Sequence, residues 1–158
     1  MNLRHDKVKD FFHDKAALVF NDVEKEARLK PVEEQCLNPG ANVSEGTRSD
    51  ARVNSFAKQF QNTHFDIKVI NAQANTHVQF DPRHALKNAE LGKVRAYKER
   101  IENVENGTFI PLVFTSKGAK SRRSTSAIAK LVTKIATKEH KRKRTWRGRY
   151  QQSCLTYS

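Results

Sequence analysis

The segment His64–Ile70, with the sequence HFDIKVI, gives the strongest strand signal in this chain. Its aromatic and β-branched side chains favour the extended backbone of a β-strand. Asp66 and Lys68 interrupt the apolar run, and they point to the same side if the segment is a strand. Because an unpaired charge in such a strand costs free energy, these two residues are expected to have a partner or a task.

Other segments predict helices and further strands around this one. Apolar residues at three- and four-residue steps predict amphipathic helices over 5–27 and 83–104. A third helix is expected to begin near Ser124 and to bury Ile128, Leu131, Val132 and Ile135. Strands are expected over 50–56 and 108–115, the latter at a sheet edge or with a bulge because of Pro111, with a weak strand within 29–36. This order predicts an α/β fold with a small mixed sheet flanked by helices.

Charge divides the chain into two unequal parts. The 158 residues carry a net charge of +13, but residues 1–116 hold 17 basic and 16 acidic groups. Residues 117–149 hold 13 basic groups and one acidic group. The sequence therefore predicts a domain over 1–137, whose charges nearly balance up to residue 116, and a basic tail over 138–158. Such a tail favours a polyanionic partner, of which nucleic acid is the commonest.

The basic segment has the composition of a nucleic-acid contact surface. Each Lys or Arg that meets a phosphate releases counterions and adds sequence-independent affinity, and Trp146 could stack on a base. The predicted nucleic-acid-binding residues are Arg122, Arg123, Lys141, Arg142, Lys143, Arg144, Trp146, Arg147 and Arg149. The alternatives are a solvated basic tail and a nuclear-localisation signal in the run His140–Arg144.

Asp50 and the Asp66–Lys68 pair form the strongest candidate site. Adjacent antiparallel strands over 50–56 and 64–70 would bring the two aspartates to one region of a hairpin. Carboxylates hold Mg²⁺ or Mn²⁺ together with waters and phosphate oxygens, and the metal activates a water for phosphodiester hydrolysis. Lys68 would stabilise charge on the phosphate. The alternative is a solvated strand face on which Asp and Lys pair weakly.

The predicted element order, with Asp50 and Asp66-Ile67-Lys68 on its second and third strands, resembles the PD-(D/E)XK nuclease superfamily. More narrowly, the chain resembles the nuclease-like region that follows reverse transcriptase in some non-LTR retrotransposon proteins. The matching stretches are Arg4-His5-Asp6, Glu26–Pro31, Glu45–Asp50, Phe65–Asn71, Tyr97–Ile101 and Val104–Phe114 with Gly118.

This resemblance implies a restriction-endonuclease-like αβββαβ core and specific residue roles. Asp50 and Asp66 would be metal ligands, Lys68 the catalytic lysine, and Glu26 or Glu24 a further acid from the first helix. Ser49 stands where many members have proline before the first aspartate, and the expected proline after the third strand is absent.

The sequence thus predicts an Mg²⁺-dependent endonuclease domain that acts on nucleic acid, with DNA favoured over RNA, and the resemblance implies an origin in a mobile element. The first alternative is a catalytically silent nucleic-acid-binding module with the same fold, and the second is a small basic structural protein. No apolar run is long enough to span a membrane, and Cys36 and Cys154 are expected to be reduced thiols. An intracellular location is therefore expected, and the nucleus is a candidate compartment because of the basic run. A homodimer is compatible with the sequence, although no pattern argues for one.

Overall fold

A four-stranded mixed sheet with three helices forms the fold. The structure is a computed structural model that describes residues 3–33, 35–71 and 81–155, with side chains described for 4–33, 35–71 and 81–142. The elements are α1 (Leu3–Ala17), β1 (Val23–Arg28), β2 (Arg48–Asn54), β3 (Asn62–Ile70), α2 (Pro82–Asn103), β4 (Thr108–Thr115) and α3 (Arg122–Leu155). The predicted small mixed α/β domain is confirmed.

The strands lie in the order β1-β2-β3-β4. The first three form an antiparallel meander, while β3 and β4 are parallel because α2 carries the chain back between them. Parallel neighbours need a crossover of this kind. Pro111 lies on β4 at the sheet edge, as its missing backbone N–H predicted.

Helices cover both faces of the sheet. The larger core joins Phe12 of α1 and Leu131 of α3 to Phe65 and other apolar side chains of the sheet. A smaller cluster on the opposite face packs Ile101 of α2 against Phe109 of β4. The adjacent residues His64 and Phe65 therefore face α2 and α1, respectively, as the alternation of a strand requires.

The predicted helix over 5–27 is wrong beyond Ala17. Residues 23–28, VEKEAR, are rich in helix-forming side chains, yet they pair with β2 as the edge strand β1. This pairing buries Ala27 to 2% exposure and leaves most of the other side chains at the surface. Tertiary pairing overrides the local helix preference here. The expected weak strand within 29–36 lies instead at 23–28.

The last helix is longer than its apolar face predicts. Helix α3 begins at Arg122 and continues through the predicted domain boundary at residue 137 to Leu155. Ala127 and Leu131 are buried, but Val132 is 57% exposed, so its predicted core position is wrong. Among the described residues, no helix is both long and apolar enough to cross a membrane.

Candidate functional site

Asp50 lies where β2 separates from β3. Paired residues run from Asn54 opposite Asn62 to Ala51 opposite Phe65. At the next residue, Asp50, the backbone pairing ends. The carboxylate of Asp50 takes the place of a backbone carbonyl, and its Oδ2 accepts a hydrogen bond of 2.6 Å from the backbone N–H of Ile67. The side chain of the first predicted aspartate therefore binds the residue that follows the second.

The strand pleat is interrupted at this point. Ser49 and Ala51 should share a face, but Ala51 belongs to the core under α1, whereas Ser49 Oγ lies 3.0 Å from His64 Nδ1 on the α2 side. Across the sheet, Glu26 of β1 adopts a left-handed backbone with φ of 50°. Such irregularities redirect side chains within a sheet, and here they turn Asp50 towards β3.

Ser49 and His64 resemble a nucleophile and its base but are enclosed. The exposed fractions of these residues are 2% and 1%. Burial lowers the pKa of His64 below its ordinary value, which favours the neutral imidazole. Because neither group is open to a substrate, we assign this pair to the support of the sheet.

Asp66 is a buried carboxylate with a lysine partner from another element. Its Oδ2 lies 2.5 Å from Nζ of Lys93 on α2, and the two side chains are 10% and 25% exposed. Burial raises the pKa of Asp66, the Lys93 ammonium opposes this rise, and the Asp50 charge adds to it. Burial also lowers the pKa of Lys93, but attraction to Asp66 outweighs it and leaves that pKa above its ordinary value. The two aspartates and Lys93 therefore form one electrostatic cluster.

Helix α1 adds His5 and Lys9 to the border of this cluster. His5 Nε2 lies 3.3 Å from Asp50 Oδ2. Lys9 donates a hydrogen bond of 2.7 Å to Glu26 Oε1, and this bond together with the charges of Glu26 and Asp50 raises the pKa of Lys9. Glu26 lies on β1 rather than on the first helix, and it pairs with Lys9 and Arg48.

The three predicted catalytic residues are therefore only partly brought together. Asp50 reaches the main chain beside Asp66, whereas Lys68 is exposed further along β3. The lysine that contacts Asp66 is Lys93, which sequence reasoning missed together with His5. Lys93 stands 27 positions after Asp66 on an amphipathic helix, so only the packing of α2 on the sheet reveals the contact.

The donor set suits a hard cation in its chemistry but provides few ligands. Asp50 and Asp66 are carboxylates, and Mg²⁺ is commonly held by one or two such groups plus waters. Within residues 4–33, 35–71 and 81–142, no group of three or more His, Cys, Asp and Glu side chains is arranged to hold a metal ion. The oxygens of both aspartates already have protein partners, the Ile67 N–H and Lys93, and Glu26 lies apart with its own cationic partners.

The predicted nucleic-acid-binding residues all lie on α3. Arg122, Arg123, Lys141 and Arg142 are exposed, and Arg123 pairs with Glu90 of α2 at 3.3 Å. The other five lie outside the residues whose side chains are described: Lys143, Arg144, Trp146, Arg147 and Arg149.

Comparison with known proteins returned no relatives. No family model, no curated protein and no solved structure matches this chain.

Proposed function

We propose that this chain is a metal-dependent endonuclease with a restriction-endonuclease-like core, which hydrolyses phosphodiester bonds of DNA. The main support is the hydrogen bond between the Asp50 carboxylate of β2 and the backbone N–H that follows Asp66 on β3. This bond brings the Asp50 side chain to the main chain beside Asp66, which lies 16 positions later in the sequence. The order of the elements, αβββαβ followed by α3, is compatible with such a core.

In this proposal each residue of the cluster has a separate task. Asp50 and Asp66 would hold Mg²⁺ or Mn²⁺, which polarises the phosphate and lowers the pKa of an attacking water. His5 and the Ile67 N–H orient Asp50, and Lys93 favours the charged form of Asp66 despite its burial. Lys68, exposed on the same strand, would meet the phosphate.

A catalytically silent nucleic-acid-binding module is the second candidate. It is favoured by the ammonium of Lys93, which neutralises Asp66 without any metal. In this alternative the aspartates stabilise the sheet, and α3 binds phosphates. The mobile-element origin rests on the sequence resemblance and applies to either candidate.

Nicking of supercoiled DNA separates the two candidates. We expect the full chain to convert supercoiled plasmid to the nicked form with Mg²⁺ or Mn²⁺ and not with EDTA. Asp50→Asn and Asp66→Asn should each reduce the rate at least about 100-fold, since each removes a charged ligand that the transition state needs. Both substitutions preserve side-chain volume, and circular dichroism verifies that the variants fold.

The matched control is Asp14→Asn on α1, whose side chain is 73% exposed. It should nick DNA at the natural rate. Nicking that survives Asp66→Ala and Lys68→Ala unchanged would contradict the proposal. An absence of nicking combined with DNA binding that Asp50→Asn leaves unaltered would establish the silent module instead.

A further inference from the structure

A cleft of about 1040 Å³ lies between α2 and α3 beside β4. Its apolar floor includes Leu86, Phe109 and Ala127, all of which are 5% exposed. Six cationic residues line it: Arg83, Lys87, Lys120, Arg122, Arg123 and Lys130. Of these six residues, only Arg122 and Arg123 are among those predicted from the sequence to bind nucleic acid.

The charge in this cleft is strongly unbalanced. Glu90 is the one carboxylate among the lining residues, and it is held by the side chain and backbone N–H of Arg123. In the described part of the chain, the ion pairs include none of the cations Arg83, Lys87, Lys120 and Arg122. The first turns of α2 and α3 also border the cleft, and their helix dipoles add positive potential. An anionic ligand is therefore favoured.

The exposed edge of β4 argues against a peptide that adds a strand here. Val113 uses its edge-facing N–H and C=O to bond Ser124 Oγ at 2.7 and 3.1 Å. Pro111, two residues earlier, occupies the equivalent edge-facing position and has no N–H to donate. Strand addition depends on such donors, so the cleft suits a ligand bound by charge.

We propose that this cleft binds the phosphodiester backbone of nucleic acid, with Arg83, Lys87 and Lys120 as phosphate contacts. The lining aromatic rings, Phe56 and Phe109, are buried to 1% and 5% exposure and offer no open face for base stacking. Binding is therefore sequence-independent. The inference takes the nucleic-acid substrate of the proposed function as its ligand, so its test measures binding in EDTA and does not depend on cleavage.

The test is fluorescence anisotropy with labelled 20-mer oligonucleotides, single-stranded and duplex, of DNA and of RNA. The variant carries Arg83→Gln, Lys87→Gln and Lys120→Gln, all at exposed positions. We expect affinity to fall at least about tenfold at 0.1 M salt. The slope of log Kd against log salt should fall by about 2–3, roughly one for each lost phosphate contact.

The matched control removes the same charge from α1 and the opposite sheet edge, through Lys7→Gln, Lys15→Gln and Arg28→Gln. It should change the affinity less than threefold. Tight binding of any of the four oligonucleotides that is lost in the cleft variant alone supports the proposal. Equal weakening by both variants would overturn it, because net charge would then explain binding. Competition by poly-glutamate at equal charge concentration would overturn it in favour of an acidic peptide.

Discussion

At the scale of single residues, the Asp66–Lys93 pair determines the character of the candidate site. A buried carboxylate without a partner would take up a proton to avoid its desolvation cost. Burial does raise the pKa of Asp66, and the nearby Lys93 ammonium limits that rise. The pair therefore favours the ionised form of Asp66 at the end of the β2–β3 pairing, where Asp50 also lies, with the charge of Asp66 balanced by Lys93.

Removal of the Lys93 charge should destabilise the protein. We expect Lys93→Met to lower the free energy of unfolding at pH 7 by about 2 kcal/mol, below the roughly 3–5 kcal/mol of a fully buried pair because Lys93 is partly exposed. Urea unfolding measures the change. Lys98→Met is the control, since Lys98 and Glu102 form an exposed pair at 3.8 Å that should contribute less than about 0.5 kcal/mol.

The stability that is lost in Lys93→Met should become smaller as the pH falls. A carboxyl group whose folded-state pKa is raised stabilises the fold at low pH, and this contribution is lost as the pH rises through that pKa. Without Lys93, the pKa of Asp66 rises further. The difference between the variant and the natural protein should therefore shrink from pH 7 to pH 5, and a difference that grows over this range would refute the assigned pairing.

At the scale of elements, the edge of β4 depends on the start of α3. Ser124 is fully buried, and its hydroxyl binds both the N–H and the C=O of Val113. The loop before it adds a hydrogen bond from the Ser121 N–H to Val113 O, at 3.0 Å. These contacts satisfy polar groups that an edge strand otherwise leaves open, and they position one wall of the basic cleft.

Ser124→Ala should therefore cost about 1–3 kcal/mol of unfolding free energy, because it leaves the buried N–H of Val113 without a partner. Thermal or urea unfolding provides the measurement. Ser126→Ala, two residues later on the exposed face of α3, should be neutral or slightly stabilising given the helix propensity of alanine. Equal effects of the two substitutions would show that the contact with β4 is unimportant.

Element prediction succeeded where pattern and burial agree. Strand β3 and helix α2 were predicted from their apolar patterns, and the predicted ends of both lie within two residues of the observed ends. Strand β1 could not be recognised, because its residues favour a helix and only pairing with β2 makes them a strand. The predicted core position of Val132 is wrong because the buried face of α3 is narrower than expected: Leu131 and Ile135 contact the core, whereas Val132 between them lies in solvent.

At the scale of the whole molecule, the sheet combines residues that are distant in sequence. The sequence predicted strands over 50–56 and 64–70, which would bring Asp50 and Asp66 together if they paired antiparallel; β2 and β3 do pair in this way, up to Ala51 opposite Phe65. The partner from α2 and the basic cleft could not be predicted. Both depend on how α2 packs on the face of the sheet formed by β3 and β4, which no local pattern encodes. The role of the two aspartates in hydrolysis stays a proposal.

We propose that Asp50 and Asp66 act together as one cation site. Electron paramagnetic resonance of free Mn²⁺, titrated into the natural protein, Asp50→Asn and Asp66→Asn, tests it most directly. We predict one site in the natural protein whose affinity falls at least about tenfold in each variant, because Mn²⁺ loses a carboxylate ligand. Binding that is equal in all three proteins, or that only one of the two substitutions weakens, would contradict the claim.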